Sequence, residues 1–118
     1  MRKLLCIITL GLFCSCATEP PLPQHTIAYN NVYDVPVKTQ LEQRVVVPAC
    51  ISNEDLTRLL NGLYEAAKKT DGYKYSTHPT HVYIYVHEAG VDWRADGYDW
   101  LGMVSMIDNE EQGVQLKR

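Results

Sequence analysis

Four side chains suited to chemistry alternate along one stretch of this sequence: His81, Tyr83, Tyr85 and His87. Alternate residues of a β-strand point to the same side, so the four would form one row. Imidazole is a good zinc ligand, but His81 and His87 would lie roughly 20 Å apart along a strand and cannot share one ion. We interpret the row as a partner-binding face and predict neither a metal site nor a cofactor.

Two further combinations of reactive side chains remain open. His78 and His81 flank a turn at Pro79, but no third metal ligand is assured beside them. Cys50 comes just before a predicted helix, whose N-terminal partial charge can stabilise a thiolate. A single cysteine in an exported domain is more commonly buried and inert, and we expect that of Cys50.

Established catalytic motifs are missing from the sequence. It contains no Gly-x-Ser-x-Gly, no phosphate-binding loop and no His-Glu-x-x-His. A nucleophilic pair of Cys50 with a histidine would need an orienting group and an oxyanion hole, which no motif supplies. We therefore expect that the protein is not an enzyme; a small thiol- or metal-dependent enzyme is the alternative.

The aromatic composition favours a contact surface. The chain has eight tyrosines and two tryptophans, and its one phenylalanine is Phe13. Tyrosine and tryptophan combine apolar area with a hydrogen-bonding tip and are enriched at interfaces. If Tyr83 and Tyr85 lie opposite the helix, we expect that face to be covered by neither secondary structure nor charge. The alternative is that these tyrosines merely occupy a solvated sheet.

The N-terminal residues have the layout of a secretory signal. Arg2 and Lys3 precede an apolar run, 4–13, that is too short to span a bilayer, which takes roughly 20 residues. The segment Leu12-Phe13-Cys14-Ser15-Cys16 resembles the end of a bacterial lipoprotein signal. That resemblance implies a diacylglyceryl group on the Cys16 thiol and cleavage after residue 15.

Other interpretations of this signal remain. Phe13 stands where leucine is usual in the lipoprotein motif, and Cys14 is a second candidate for the lipidated residue. An ordinary cleaved signal beside an unrelated cysteine is also an alternative. Ala17, in place of Asp, implies by the same resemblance an anchor in the outer membrane.

The predicted organisation has four parts: a signal peptide at 1–15, the lipidated cysteine with a Pro-rich tether at 16–25, an α+β domain at 26–108, and a polar C-terminal tail at 109–118. Loss of Arg2 and Lys3 with the signal leaves nine basic residues against 14 acidic ones. That balance argues against nucleic acid as a partner and leaves membrane attachment to the acyl chains.

Hydrophobic periodicity predicts the order β-β-α-β-β, with strands at 27–35, 37–47, 81–88 and 100–107. Ser52 is the expected N-cap of the helix, and Asp55 its capping partner. The helix places Leu56, Leu59, Leu60, Leu63 and Ala67 on one side, which we expect to pack on Val82, Ile84 and Val86. This predicts one helix on a mostly antiparallel four-stranded sheet, with Gly62 marking a close approach to that sheet. Val114–Leu116 is a candidate for an additional edge strand.

Over residues 27–107 the sequence resembles a small uncharacterised α+β domain of bacterial and phage-encoded lipoproteins. The matching motifs are Tyr83-Ile84-Tyr85-Val86 and Gly97-Tyr98-Asp99-Trp100-Leu101-Gly102-Met103. The resemblance implies no activity. The sequence thus predicts a lipid-anchored envelope lipoprotein that binds an envelope protein or other surface component. A phage- or island-encoded exclusion or immunity lipoprotein is the alternative.

Overall fold

A computed structural model describes residues 21–117. Its elements are β1 (Thr26–Val35), β2 (Lys38–Val47), α1 (Asn53–Lys68), β3 (His81–Glu88), β4 (Gly102–Ile107) and β5 (Glu110–Leu116). The predicted α+β class is confirmed. The predictions for the signal peptide, for lipidation of Cys16 and for the first part of the tether lie outside the described residues. Within 21–117, no helix has both the length and the hydropathy that a membrane span requires.

The strands form one sheet in the order β1-β2-β3-β4-β5. β2 and β3 are parallel, whereas the other three neighbouring pairs are antiparallel. The parallel pair is connected through α1, as expected, because parallel neighbours need a long crossover. The predicted number of strands, four, is corrected to five.

The fifth strand is formed by the segment that was expected to be a polar tail. Asp108 and Asn109 have φ angles of 52° and 66° and turn the chain directly from β4 into β5. Two successive positive φ angles suit a tight hairpin, and Asp and Asn tolerate them better than most residues. Val114 and Leu116 then pack against the core, so the candidate edge strand is confirmed and is longer than expected. The polar composition of 109–113 is the reason why the full length of this strand was not predicted.

A polar contact attaches β5 to the helix. The Tyr64 hydroxyl donates to Glu111 Oε2 at 3.0 Å, and Lys68 Nζ donates to the same oxygen at 2.8 Å. Burial, together with this hydrogen bond to a carboxylate, raises the pKa of Tyr64 to about 12. The last strand is therefore held from α1 as well as by its ladder with β4.

The core lies between α1 and one face of the sheet. The helix packs against β3, β4 and β5. Ser52 is the N-cap, as predicted, and its side chain accepts a hydrogen bond from the Asp55 backbone N–H at 3.1 Å. The predicted helix stripe and strand face belong to one buried cluster, whose members include Leu56, Leu59, Leu60, Leu63, Ala67, Val82, Ile84 and Val86.

Gly62 does not mark an approach to the sheet. A Cβ added there would lie 2.6 Å from Cδ2 of Leu22, a residue of the Pro-rich segment. Arg58 Nη1 also donates to the carbonyl of Pro21 at 2.9 Å. Because Gly62 has no side chain, the segment that precedes the domain can pack against α1 at this point. The described residues of the predicted tether therefore lie on the helix.

Candidate partner-binding face

The four predicted site residues do share the side of the sheet opposite α1. Val82, Ile84 and Val86 are buried beneath the helix, so the alternation of β3 directs its other side chains outward. His81, Tyr83 and Tyr85 are half-buried there, but His87 is 0% exposed. The row therefore divides into two ends with different surroundings, and we call this side of the sheet the outer face.

One end of the outer face lies beneath the loop 89–101, which connects β3 to β4. The Trp93 ring stacks on the His87 ring with 6.0 Å between centroids and 25° between planes. The Trp100 ring lies 6.4 Å from that of Tyr85. The expectation of an uncovered, uncharged face is wrong at this end, which we call the capped half (Tyr29, Arg44, Tyr85 and His87).

Arg44, on β2, organises the capped half, and the sequence analysis missed it. Its Cζ lies 3.9 Å from the centroid of the Tyr85 ring. Nη1 donates to the Gly97 carbonyl at 2.8 Å, and Nε pairs with Glu42 at 3.1 Å. Arg44 is the register partner of Tyr85 across the parallel pair. Only this register could have singled it out, because on β2 alone it is one charged residue among several.

Hydrogen bonding determines the tautomer of His87. Arg44 Nη1 lies 3.2 Å from Nε2, and since a guanidinium can only donate, Nε2 accepts. Nδ1 then carries the proton and donates to the Asp99 carbonyl at 2.8 Å. Burial lowers the pKa of His87, and the Arg44 charge lowers it further, while the bond to Asp99 opposes them. His87 is therefore a neutral, internal residue that supports the loop.

The other end of the outer face includes the more exposed side chains, and we call it the open half (Tyr33, His81, Tyr83 and Ile107). Tyr33 pairs in register with Gln40, which in turn pairs with His81. Tyr33 is 53% exposed and Ile107 is 43% exposed. Of the predicted site residues, only His81 and Tyr83 belong to this half.

The candidate metal ligands are not brought together. His78 Nδ1 lies 3.0 Å from the Thr70 carbonyl, and His81 Nδ1 lies 2.9 Å from Thr80 Oγ1. Across residues 21–117, no group of three or more His, Cys, Asp or Glu side chains has an arrangement that could hold a metal ion.

Cys50 is exposed, and the expectation that it is buried is wrong. It lies in the turn after β2, where the backbone N–H of Ile51 bonds to the Pro48 carbonyl. The side-chain alternation of β2, which buries Val45 and Val47, has ended by this point. Within residues 21–117 its thiol is not part of a disulfide.

No family model matches the chain, and neither a curated protein nor a solved structure matches it significantly. The lipoprotein assignment therefore stays a prediction that depends on the N-terminal motif and on the resemblance given above.

Proposed function

We propose that this protein is a lipid-anchored lipoprotein of the cell envelope, whose α+β domain binds another envelope component without catalysing a reaction. The anchor is the acylated Cys16 expected from the segment Leu12-Phe13-Cys14-Ser15-Cys16, and Ala17 favours the outer membrane. The partner binds at the open half of the outer face. Nucleic acid is not a partner, because acidic residues outnumber basic ones.

The exposure of the open half is the observation that carries the binding proposal. Tyr33 and Ile107 remain largely accessible, with Tyr83 and His81 beside them on the same side of the sheet. Tyrosine side chains with an accessible ring and hydroxyl make good anchors for a partner at low entropic cost. Contiguous exposed apolar area of this kind is a common feature of interaction sites.

The capped half has a supporting role in this proposal. Arg44, Trp93 and Gly97 hold the loop 89–101 on the sheet, so Tyr85 and His87 contact the protein's own residues. The loop thereby forms one border of the binding face. Of the four residues predicted from sequence, His81 and Tyr83 contact the partner, and Tyr85 and His87 position the loop.

The proposal is tested by photo-crosslinking in intact cells. A photoreactive phenylalanine analogue replaces Tyr83 in the full chain, and the same analogue replaces Ala66 in a matched control. Ala66 is exposed on α1, on the opposite side of the domain. We expect one discrete crosslinked product from position 83 that is missing from position 66. The same set of products from both positions, or none from position 83, would refute the binding face.

A further inference from the structure

The outermost strand β1 is unusually open. Along one side it pairs with β2, and among the described residues nothing pairs with its other edge. Residues 26–33 are all exposed. The exposed set includes four large apolar side chains: Ile27, Tyr29, Val32 and Tyr33. An edge of this kind presents free backbone donors and acceptors beside apolar side chains, which is the usual template for adding a strand.

The opposite edge of the sheet shows how this protein protects a strand. β5 carries the charge of Glu110, and its ladder with β4 is irregular next to Gly113, whose φ is 81°. Charges and bulges are the common devices that prevent two sheet edges from pairing. Two of them are therefore present on β5.

β1 lacks these devices along most of its length. Its one charged residue is Asp34, whose carboxylate accepts hydrogen bonds from Thr39 Oγ1 at 2.8 Å and from the Lys74 backbone N–H at 2.6 Å. That charge is held by the protein's own groups. The irregularity between Ile27 and Tyr29 affects only the start of the strand. A regular, uncharged edge remains over 29–33.

The side chains of this edge segment are arranged symmetrically. Three residues lie on the outer face, because their register partners on β2 do: Tyr29, Asn31 and Tyr33. Asn30 and Val32 lie on the helix side, opposite Gln43 and Leu41. The outer face of the edge therefore reads Tyr-Asn-Tyr in either direction, which is the pattern that a two-fold axis through Asn31 requires.

We infer that the partner of the β1 edge is a second copy of this chain. The two β1 strands pair antiparallel about a two-fold axis at Asn31. This sets Tyr29 of each copy opposite Tyr33 of the other, Asn31 opposite itself, and Asn30 opposite Val32. The contact is isologous, as in most homodimers. It joins the two sheets into one and places the open half of each copy beside the capped half of the other.

This inference is independent of the lipid anchor and of the envelope partner. It depends on β1 alone: its unpaired edge, its lack of free charge and the symmetry of its side chains. Strand addition also needs no movement of the core, because only backbone groups and exposed side chains take part.

Disulfide trapping in the full chain tests the pairing register, with Cys50 replaced by Ser and that single variant as the background for any crosslink through Cys6, Cys14 or Cys16. Directly opposite residues of antiparallel strands have Cα atoms about 4.5–5.5 Å apart, which suits a disulfide. We expect Asn31→Cys to give a covalent dimer under mild oxidation. Tyr29→Cys should not crosslink to itself, since the two positions would be offset by four residues, roughly 13 Å. A mixture of Tyr29→Cys and Tyr33→Cys chains should crosslink.

The control for random collision is Gln112→Cys, on the exposed β5 edge. Equal crosslinking at positions 31 and 112 would overturn the inference. So would crosslinking of Asn31→Cys to a different protein in place of itself.

A charge exchange on the axis provides the second test. Asn31→Lys and Asn31→Asp each set like charges opposite each other, so either variant alone should lose the dimer. Mixing the two should restore a dimer that contains one chain of each kind. Native mass spectrometry of the full chain in detergent measures this, and circular dichroism checks that both variants are folded. A monomeric wild type, or folded variants that do not recombine, would overturn the inference.

Discussion

Arg44 connects the sheet to the loop that covers half of its outer face. Its side chain retains 14% of its accessible surface; its charge is paired with the Glu42 carboxylate, and it donates a hydrogen bond to the carbonyl of Gly97. Hydrogen bonds from Nε and Nη1 and the Tyr85 ring next to the guanidinium compensate for this partial burial. A Cβ at Gly97 would lie 3.4 Å from Arg44 Nη2, so a glycine there permits this close contact. Arg44 is therefore one of the side chains that hold the loop over this part of the face.

Tyr83 and Tyr85 are expected to respond differently to the same substitution. Tyr85→Ser removes the ring beneath the Arg44 guanidinium and beside Trp100, and should lower the free energy of unfolding by about 2 to 3 kcal/mol. Tyr83→Ser loses mainly cross-strand contacts, worth about 1 kcal/mol or less. Urea unfolding of the two variants measures both values.

Partner capture should show the reverse order. With the photoreactive analogue moved to Ile107 of the same open half, Tyr83→Ser should weaken capture by about 2 kcal/mol or more, because aromatic anchors commonly contribute that much. Equal losses of stability in the two variants would mean that Tyr83 is also covered. Unchanged capture by the folded Tyr83→Ser variant would remove Tyr83 from the binding face.

His87 should make stability depend on pH. Its folded pKa is lowered, chiefly by burial and then by the Arg44 charge, with Lys117 in the same direction and Asp99 opposed. Unfolded histidine titrates near pH 6.5. The folded state therefore binds the proton less well, so the stability due to neutral His87 is complete above about pH 6.5 and is lost as the pH falls towards the folded pKa.

Thermal unfolding between about pH 7.5 and pH 5 measures this effect. We expect the midpoint temperature to fall with acidification in the wild type and in a His81→Gln control. It should fall less in His87→Gln, although that variant starts from a lower stability. Glu111, whose pKa is lowered by its bond to Lys68, loses its contribution only at more acidic pH. An identical pH profile in His87→Gln and the wild type would contradict the buried, neutral assignment.

At the scale of elements, α1 determines which strands share the core. It lies over β3, β4 and β5, and reaches β4 closely at Gly102, where an added Cβ would be 3.0 Å from Leu60 Cδ1. Tyr64 and Lys68 extend the same contact to Glu111 on β5. β1 is an edge strand that β2 separates from these three strands, which explains why most of its side chains stay exposed.

Truncation of Leu60 measures this packing. Leu60 is 0% exposed, so Leu60→Ala should lower the free energy of unfolding by about 2 to 5 kcal/mol through lost contacts and a residual cavity. Leu22→Ala, at a partly exposed position against the same helix, should cost much less and serves as the control. Chemical denaturation gives both values. A loss well under about 1 kcal/mol for Leu60→Ala would mean that the helix does not depend on this contact.

At the scale of the whole molecule, the proposed anchor decides where the domain works. Cys16→Ala should move the protein from the membrane fraction to the soluble fraction, because the acyl chains on Cys16 are the proposed means of attachment. Cys14→Ala is the matched control and should remain in the membrane. Recovery of Cys16→Ala in the membrane at the wild-type level would refute lipidation at this residue.

Local patterns in the sequence were enough to predict most of the regular structure. The alternation in β2 and β3, the Leu stripe of α1 and the Ser52 cap depend on neighbours within a few residues. The same alternation correctly placed the row from His81 to His87 opposite the helix. Of the fifth strand only Val114–Leu116 was a candidate, because Asp108-Asn109 followed by polar residues is also typical of a tail.

Only the tertiary structure decided which part of the outer face is accessible. The path of the loop 89–101 depends on two residues that are distant from it in sequence. Tyr29 on β1 contacts Trp93, and Arg44 on β2 binds the Gly97 carbonyl, and both contacts form only when β1, β2 and β3 lie side by side. The exposure of Cys50 and the contact of Leu22 with Gly62 are likewise set by chain paths outside regular elements. Periodicity specifies the side of an element on which a residue lies. What covers that side is determined by contacts between segments far apart in the chain.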